Sequence, residues 1–377
     1  MDLDARFPAL SDLRARARRR LPHFVWEYLD SATGTEATVR RNRAELDSVR
    51  LKPKILGGPV APDLTTRFLG QDWAMPVGIA PVGMSGLVWP GAETALAALG
   101  ARENLPYTLS TVAAALPEEV GPATDGRAWF QMYLPRDHDI RRHMLARIRT
   151  AGFGTLVLTL DVPAASRRER QVRGGLTQPV RLSPRIALQC ARKPAWSLAV
   201  LRHGRPRMKL VESYATARGP MSSTAHLGYL MRTALGWDDL RWLRDNWDGP
   251  IIAKGVLFAE DAAALAESGL VEAIWVSNHA GRQFDAAPGI VEALREVRAA
   301  TDLPLVADGG VEGGLDVLRL VALGADLVML GKAWHWGLAA LGPRGAAHVA
   351  EVLRRDMIAN MHQIGAATLA EVPGRLG

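Results

Sequence analysis

Eight short apolar runs between residues 77 and 330 constrain this chain more than any other feature. They are 77–80 (V-G-I-A), 107–110 (Y-T-L-S), 129–133 (W-F-Q-M-Y), 156–160 (L-V-L-T-L), 251–254 (I-I-A-K), 274–277 (I-W-V-S), 304–307 (P-L-V-A) and 327–330 (L-V-M-L). Each has the length of a buried strand, and most are separated by 20 to 30 residues that include an Ala-, Leu-, Glu- and Arg-rich helical stretch. That alternation predicts an α/β protein of the (β/α)8 barrel type. A doubly wound sheet is the rival, but no G-x-G-x-x-G follows the first run. One barrel domain with insertions accounts for all of residues 1–377, since such barrels run from about 200 to over 400 residues. Ahead of it, residues 11–50 read as helices, with Ser11-Asp12 as an N-cap and Pro22 opening a second helix on which Phe24 and Tyr28 share a face.

The fourth and fifth runs lie about 90 residues apart, which breaks the rhythm. Connections of that length are usually functional or mobile. This one, a basic insertion at about 164–235, carries twelve Lys or Arg against one acid between Ala164 and Val211. That excess of +11 exceeds the +7 of the whole chain and leaves the remainder at −4. The basicity therefore belongs to one segment, which argues against nucleic acid as the partner of the enzyme body. Within the segment, Trp196 to Leu201 form an apolar patch flanked by Arg192, Lys193, Arg202, Arg205 and Arg207. Such a composition suits the surface of an anionic membrane, and it equally suits a solvated loop.

A single cysteine, Cys190, excludes an intramolecular disulfide and a Cys-based zinc or iron-sulfur site. The N-terminus has no basic start followed by an apolar core, and no apolar run approaches about 18 residues. The expectation is a cytoplasmic protein that does not span a membrane and at most lies on its cytoplasmic face.

A barrel gathers its chemistry at the C-terminal ends of its strands. Those ends carry Ala80-Pro81-Val82-Gly83-Met84, Ser110-Thr111, Gln131 with Tyr133, Thr159 with Asp161 and then Arg167-Arg168, Lys254, His279 with Arg282, Asp308-Gly309-Gly310, and Gly331-Lys332. The sixth end is the most telling, because Ser277 to Asp285 read S-N-H-A-G-R-Q-F-D. A histidine offers a proton acceptor near neutral pH, and an arginine three residues on offers a fork for a carboxylate. The last two ends suggest a phosphorylated cofactor, since glycines there let backbone N–H groups approach oxyanions.

The motif S-N-H-A-G-R-Q-F-D, with I-A-P-V-G-M, L-S-T, F-Q-M-Y, L-T-L-D-V-P, K-G-V and D-G-G-V, resembles the FMN-dependent α-hydroxy acid dehydrogenase/oxidase family. The likeness runs from about Leu21 to the C-terminus, is weakest between 170 and 220, and has the character of the membrane-associated bacterial lactate and mandelate dehydrogenases. The resemblance implies FMN, an L-2-hydroxy acid substrate, a quinone or other electron acceptor, and a homotetramer. It implies that His279 takes a substrate proton, that Asp161 steadies the imidazolium, and that Arg282, Arg168 and Tyr28 grip the carboxylate while Tyr133 contacts the hydroxyl. Lys254 would lie near flavin N1/O2, and Pro81, Val82, Gly83, Ser110, Gln131, Thr159 and Ser277 would hold the ring system. Asp308, Gly309, Gly310, Gly331 and Lys332 would form the phosphate end.

Four positions depart from the family pattern. Ala280 replaces a glycine and Phe284 a leucine, while Glu312 and Lys332 stand where arginines usually contact the FMN phosphate. A carboxylate facing a phosphate is unfavourable, so Glu312 must point away, be compensated, or weaken binding. Val112 and Gly83 both replace larger residues, which predicts a pocket roomy enough for substrates larger than glycolate. The competing reading is a barrel that has lost flavin through Glu312 and Lys332 and serves as a basic membrane- or nucleic-acid-binding module.

Overall fold

The computed structural model describes residues 2–176, 183–215 and 234–377; parts of the basic insertion, residues 177–182 and 216–233, lie outside the described residues. Eight parallel strands form one sheet: β1 (Val77–Ile79), β2 (Thr108–Ser110), β3 (Trp129–Met132), β4 (Thr155–Thr159), β5 (Ile251–Val256), β6 (Ala273–Val276), β7 (Leu305–Asp308) and β8 (Leu327–Leu330). Their order is β1-β8-β7-β6-β5-β4-β3-β2, and a parallel bridge from Ile79 to Tyr107 joins the two ends. The result is the (β/α)8 barrel the spacing predicts. Each run lies within two residues of its strand.

Strand side chains alternate between two environments, as a two-residue period requires. Leu156 and Leu158 of β4, Ile251 and Ala253 of β5, and Ile274 and Val276 of β6 pack outward against the helices. Val157, Ile252, Trp275, Val306, Leu327 and Met329 point inward and fill the barrel with one apolar cluster. Following the same alternation one step further brings Gln131, Thr159, Lys254, Ser277 and Asp308 to the inner rim. The sequence thus writes an apolar plug first and a polar ring above it.

A hairpin of Thr66–Phe68 and Gln71–Trp73 covers the opposite end, where Phe68 and Trp73 pack on Trp129 with ring centroids 5.7 and 6.5 Å apart. A short helical turn, Leu3–Arg6, and three longer helices precede the barrel among the described residues: α1 (Leu10–Arg20), α2 (His23–Asp30) and α3 (Ala37–Ser48). Helix α1 begins one residue before the expected Ser11-Asp12 cap. Ala9 is the N-cap, and Asp12 instead sits at the third helical position, where its carboxylate accepts the Ala9 N–H at 3.0 Å. Pro22 likewise occupies the N-cap of α2 and not its first turn. Arg16 donates to the Ala340 carbonyl at 2.9 Å, holding α1 against the helix that follows β8.

The described part of the insertion forms helices Glu169–Gly174, Pro184–Ala191, Pro194–His203 and Lys209–Ala215. Trp196 does not belong to an exposed patch: its ring packs edge-on against Phe24 and its indole N–H donates to the Leu87 carbonyl at 3.0 Å. Leu198 and Leu201 remain exposed. Among the described residues no helix is long and apolar enough to cross a membrane.

At the close approaches in the barrel's outer layer there is no room for even a methyl group. A Cβ on Gly121 would stand 1.8 Å from the Ala151 carbonyl oxygen. Gly121→Ala is expected to cost about 1–3 kcal/mol or more and to lower the thermal unfolding midpoint, measured by scanning calorimetry.

Candidate active site

The polar ring floors a cavity of about 330 Å³ at the C-terminal mouth of the barrel. Its members bond to one another from strand to strand. Ser110 donates to Gln131 Oε1 at 2.9 Å, and Gln131 Nε2 donates to Thr159 Oγ1 at 2.9 Å. On the other side Lys254 Nζ donates to Ser277 Oγ at 2.9 Å, Ser277 donates to Asp308 Oδ1 at 2.7 Å, and the Trp275 indole donates to Asp308 Oδ2 at 2.9 Å. Lys254 and Asp308 stand 3.5 Å apart as a buried ion pair. A buried cation without such partners would be costly.

His279 lies just beyond β6 in a left-handed stretch, with φ of 55° at His279, 50° at Ala280 and 72° at Gly281. Two of these are not glycine, so the loop is held in a conformation that L-residues seldom adopt. It is fixed at both ends. The His279 N–H donates to Ser277 Oγ at 3.0 Å, and a Cβ on Gly281 would meet Val39 of α3 at 2.9 Å. The ring's Nδ1 faces Asp161 Oδ2 at 3.0 Å, leaving Nε2 as the nitrogen that can act on a ligand. Asp161 reaches this position because Gly255 has no side chain: at φ 106° a Cβ there would stand 2.6 Å from the Asp161 Cβ, where the pairing of β5 with β6 shifts register. Burial pushes the His279 imidazole below its ordinary 6.5, against the pull of Asp161. Burial also opposes the Asp161 charge, yet His279 and Lys254 hold its carboxyl below the usual range. The pair at neutral pH is a carboxylate facing a neutral imidazole.

Tyr28, Tyr133, Arg168 and Arg282 line the same cavity. Burial and the adjacent Asp161 push the Tyr133 phenol up, so it stays a donor. Arg168 takes a left-handed backbone (φ 46°) at the start of the helix Glu169–Gly174, and its Nε donates to Ser166. Arg282 departs from the simple fork the motif suggests. Its Nη1 donates to the carbonyls of Leu29 and Ser31 at 3.3 and 3.0 Å, and its Nη2 to that of Tyr28 at 2.9 Å. It closes the C-terminal end of α2 while its guanidinium lies over the Tyr28 ring. Tyr28 in turn donates to the Gly83 carbonyl at 2.6 Å. Gly83 and Val112 do not simply add two increments of space: a Cβ on Gly83 would meet Val112 Cγ2 at 2.6 Å, so the valine fills part of what the glycine opens.

Another part of the cavity is opened by glycines. Gly309 and Gly310 have φ of 117° and 76°, and a Cβ on Gly310 would press on Asn42 of α3 at 3.1 Å. Gly331 and Lys332 complete this end, with Lys332 Nζ donating to the Asp30 carbonyl at 2.8 Å. Burial pushes the Lys332 amine down to about 8. Glu312 lines the rim of this end: its side chain is 45% exposed, with Oε1 3.7 Å from Arg14 Nη1, and its own N–H donates to Asp316 at 2.9 Å.

The chain matches the model of the FMN-dependent dehydrogenases over residues 17–376. It belongs to that family. It is 37% identical over 376 residues to an L-lactate dehydrogenase of Ectopseudomonas mendocina, covering 98% of each chain, and 38% identical over 368 residues to one of Chromohalobacter salexigens, covering 97% of this chain and 93% of that one. Its fold is similar to a crystal structure of the monotopic membrane protein (S)-mandelate dehydrogenase, with a TM-score of 0.93, 34% identity and 98% of each chain covered. The family's cofactor, FMN, fits this cavity. A ring system can lie on the polar floor from Ser110 to Asp308, and the glycine-opened end with Lys332 suits a phosphate. The rival reading of a flavin-poor binding module loses its footing, since the chain matches the FMN-dependent dehydrogenases and the polar floor from Ser110 to Asp308 is present.

Every predicted site residue lines this cavity except Asp161 and Ser277, which support it from behind through His279 and Lys254. Arg14, Asp30, Asn42 and Met208 also line it and escaped the sequence reading, because α1 to α3 and the insertion carry no strand-end signature. Because a lysine loses its charge above its pKa, FMN affinity of the flavin-free protein is expected to weaken by about tenfold as pH rises through about 8. Riboflavin affinity should stay flat, both measured by quenching of flavin fluorescence.

Proposed function

We propose that the chain oxidises an L-2-hydroxy acid of lactate size or larger to the 2-oxo acid, with His279 as the base that takes the substrate proton. The observation that carries this assignment is the His279–Asp161 pair, 3.0 Å apart, at the wall of the FMN cavity. FMN supplies the acceptor for the two electrons that leave the substrate's Cα. The remaining work falls to the protein's own groups.

Nδ1 carries its proton toward Asp161, so Nε2 is free to receive one. As the imidazolium forms, the carboxylate 3.0 Å away stabilises it. Arg168 and Arg282 would supply positive charge for the substrate carboxylate, with the Tyr28 phenol beside them. Tyr133, held as a neutral donor, meets the substrate hydroxyl. Lys254, fixed by Ser277 and Asp308, would offer a buried cation near N1/O2 of the bound flavin, stabilising its reduced form. Val112, Met208 and Ala280 bound the remaining space and admit a side chain beyond hydrogen.

The same reading places the protein on a membrane surface and its electrons in a quinone or another carrier. Leu201, 80% exposed, and Leu198 lie on the helix Pro194–His203 beside Arg202, Arg205 and Arg207. Similarity to a monotopic membrane protein supports this docking.

His279→Ala is expected to lower kcat by about 10²–10⁴ while the protein remains yellow, followed by anaerobic bleaching with L-lactate and L-mandelate. In the wild type, kcat/KM should be level at neutral pH and fall only below about 6.5, because the base must be neutral and burial depresses its pKa. Asp161→Asn removes the influence that raises that pKa, so the acid limb should move lower as the plateau drops. A wild-type limb above pH 7 would contradict the assignment. Leu198→Asp with Leu201→Asp should abolish sedimentation with anionic vesicles and leave turnover of a soluble acceptor unchanged.

A further inference from the structure

The phosphate end of the cavity is short of the arginines its family uses there, since Lys332 and Glu312 hold those positions. Another arginine reaches the same place from a different part of the chain. We propose that Arg14, on α1, is a ligand of the FMN phosphate and substitutes for the arginine that Glu312 displaces. The inference rests on FMN as the cofactor and on the glycine-lined end as its phosphate site.

Arg14 and Glu312 line one cavity together with Gly309, Gly310, Gly331 and Lys332. The Arg14 guanidinium lies 5.2 Å from the Trp336 ring centroid, which keeps it from swinging away. Its Nε and Nη2 both bond Asp30 Oδ1, at 3.3 and 2.9 Å. These bonds anchor one edge of the fork. Nη1 is left with Glu312 Oε1 at 3.7 Å, an ion-pair distance too long for a hydrogen bond. An incoming phosphate oxygen can take that nitrogen at full hydrogen-bond strength, and Glu312, half exposed, can turn to solvent.

The other groups at this end are less available. Arg170 is held by Glu27, Asp30 and Glu36 together. Lys332 Nζ already donates to the Asp30 carbonyl, though an ammonium has two further protons. The Trp336 indole N–H is buried in the same wall with no acceptor among the described residues, which is a second unmet donor beside Arg14. Asp30 serves both cations, its carboxylate holding Arg14 and its carbonyl holding Lys332. The two replacements for the missing arginines are therefore carried on one residue.

The test compares FMN with riboflavin, which shares the ring and ribityl chain and lacks the phosphate. Flavin-free full-length protein is titrated with each ligand and read by fluorescence quenching. Arg14→Ala should weaken FMN by about tenfold or more and riboflavin by less than about twofold, the loss expected for one charge-assisted bond. Arg14→Lys should recover part of the FMN affinity. Glu312→Gln, which removes the competing carboxylate, should tighten FMN severalfold and leave riboflavin unchanged. Equal weakening of both ligands by Arg14→Ala would mean that Arg14 only shapes the site through Asp30, and would overturn the proposal. No change in either ligand would overturn it as well. Wild-type protein that binds both flavins alike would remove the phosphate site itself, and wild-type protein that binds neither would remove the flavin reading on which the proposal stands.

Discussion

A lysine buried at the mouth of a barrel is the constraint around which this molecule is arranged. Lys254 is 4% exposed, and Ser277 and Asp308 meet its ammonium. Ser277 is then bound on three sides, accepting from Lys254 and from the His279 backbone and donating to Asp308. The loop that carries His279 is thus hung from the partner of a buried charge. This explains how two consecutive non-glycine residues persist with positive φ. Charge burial in the floor and orientation of the imidazole are one problem with one solution.

Around this floor the N-terminal helices act as the cavity's second wall. The C-terminal end of α2 gives its carbonyls to Arg282, and Asp30 engages Arg14, Arg170 and Lys332. Asn42 of α3 exchanges hydrogen bonds with Asn278, at 3.0 and 2.7 Å, beside the loop that carries His279. Barrel strands fix the polar groups of the cavity floor, while helices outside the barrel fix the charged groups at its rim.

The strands were legible because their chemistry is local. Apolar runs with polar ends can be read from residue order, and every expected strand forms within two residues of its place. What was illegible depends on distance in sequence. Arg14 meets Glu312 from nearly 300 positions away, and no spacing rule connects them. Trp196 looked like part of a surface patch because its partners, Phe24 and Leu87, are remote. The hairpin at 66–73 was silent for another reason: its turn places Leu69 at φ 48° ahead of Gly70, where Asn or Asp would have announced it. Ser11-Asp12 misled in a small way, since a carboxylate can cap a helix from the third position as well as from the first.

The hydrogen bonds from Arg282 to Tyr28 and from Lys332 to Asp30 join residues roughly 250 and 300 positions apart. Arg16 and Ala340 make a similar closure. During synthesis the first helices therefore emerge long before the groups that hold them, and wait for the eighth strand before the cavity has two walls. The two walls of the cavity are thus joined by contacts that no N-terminal fragment can make by itself.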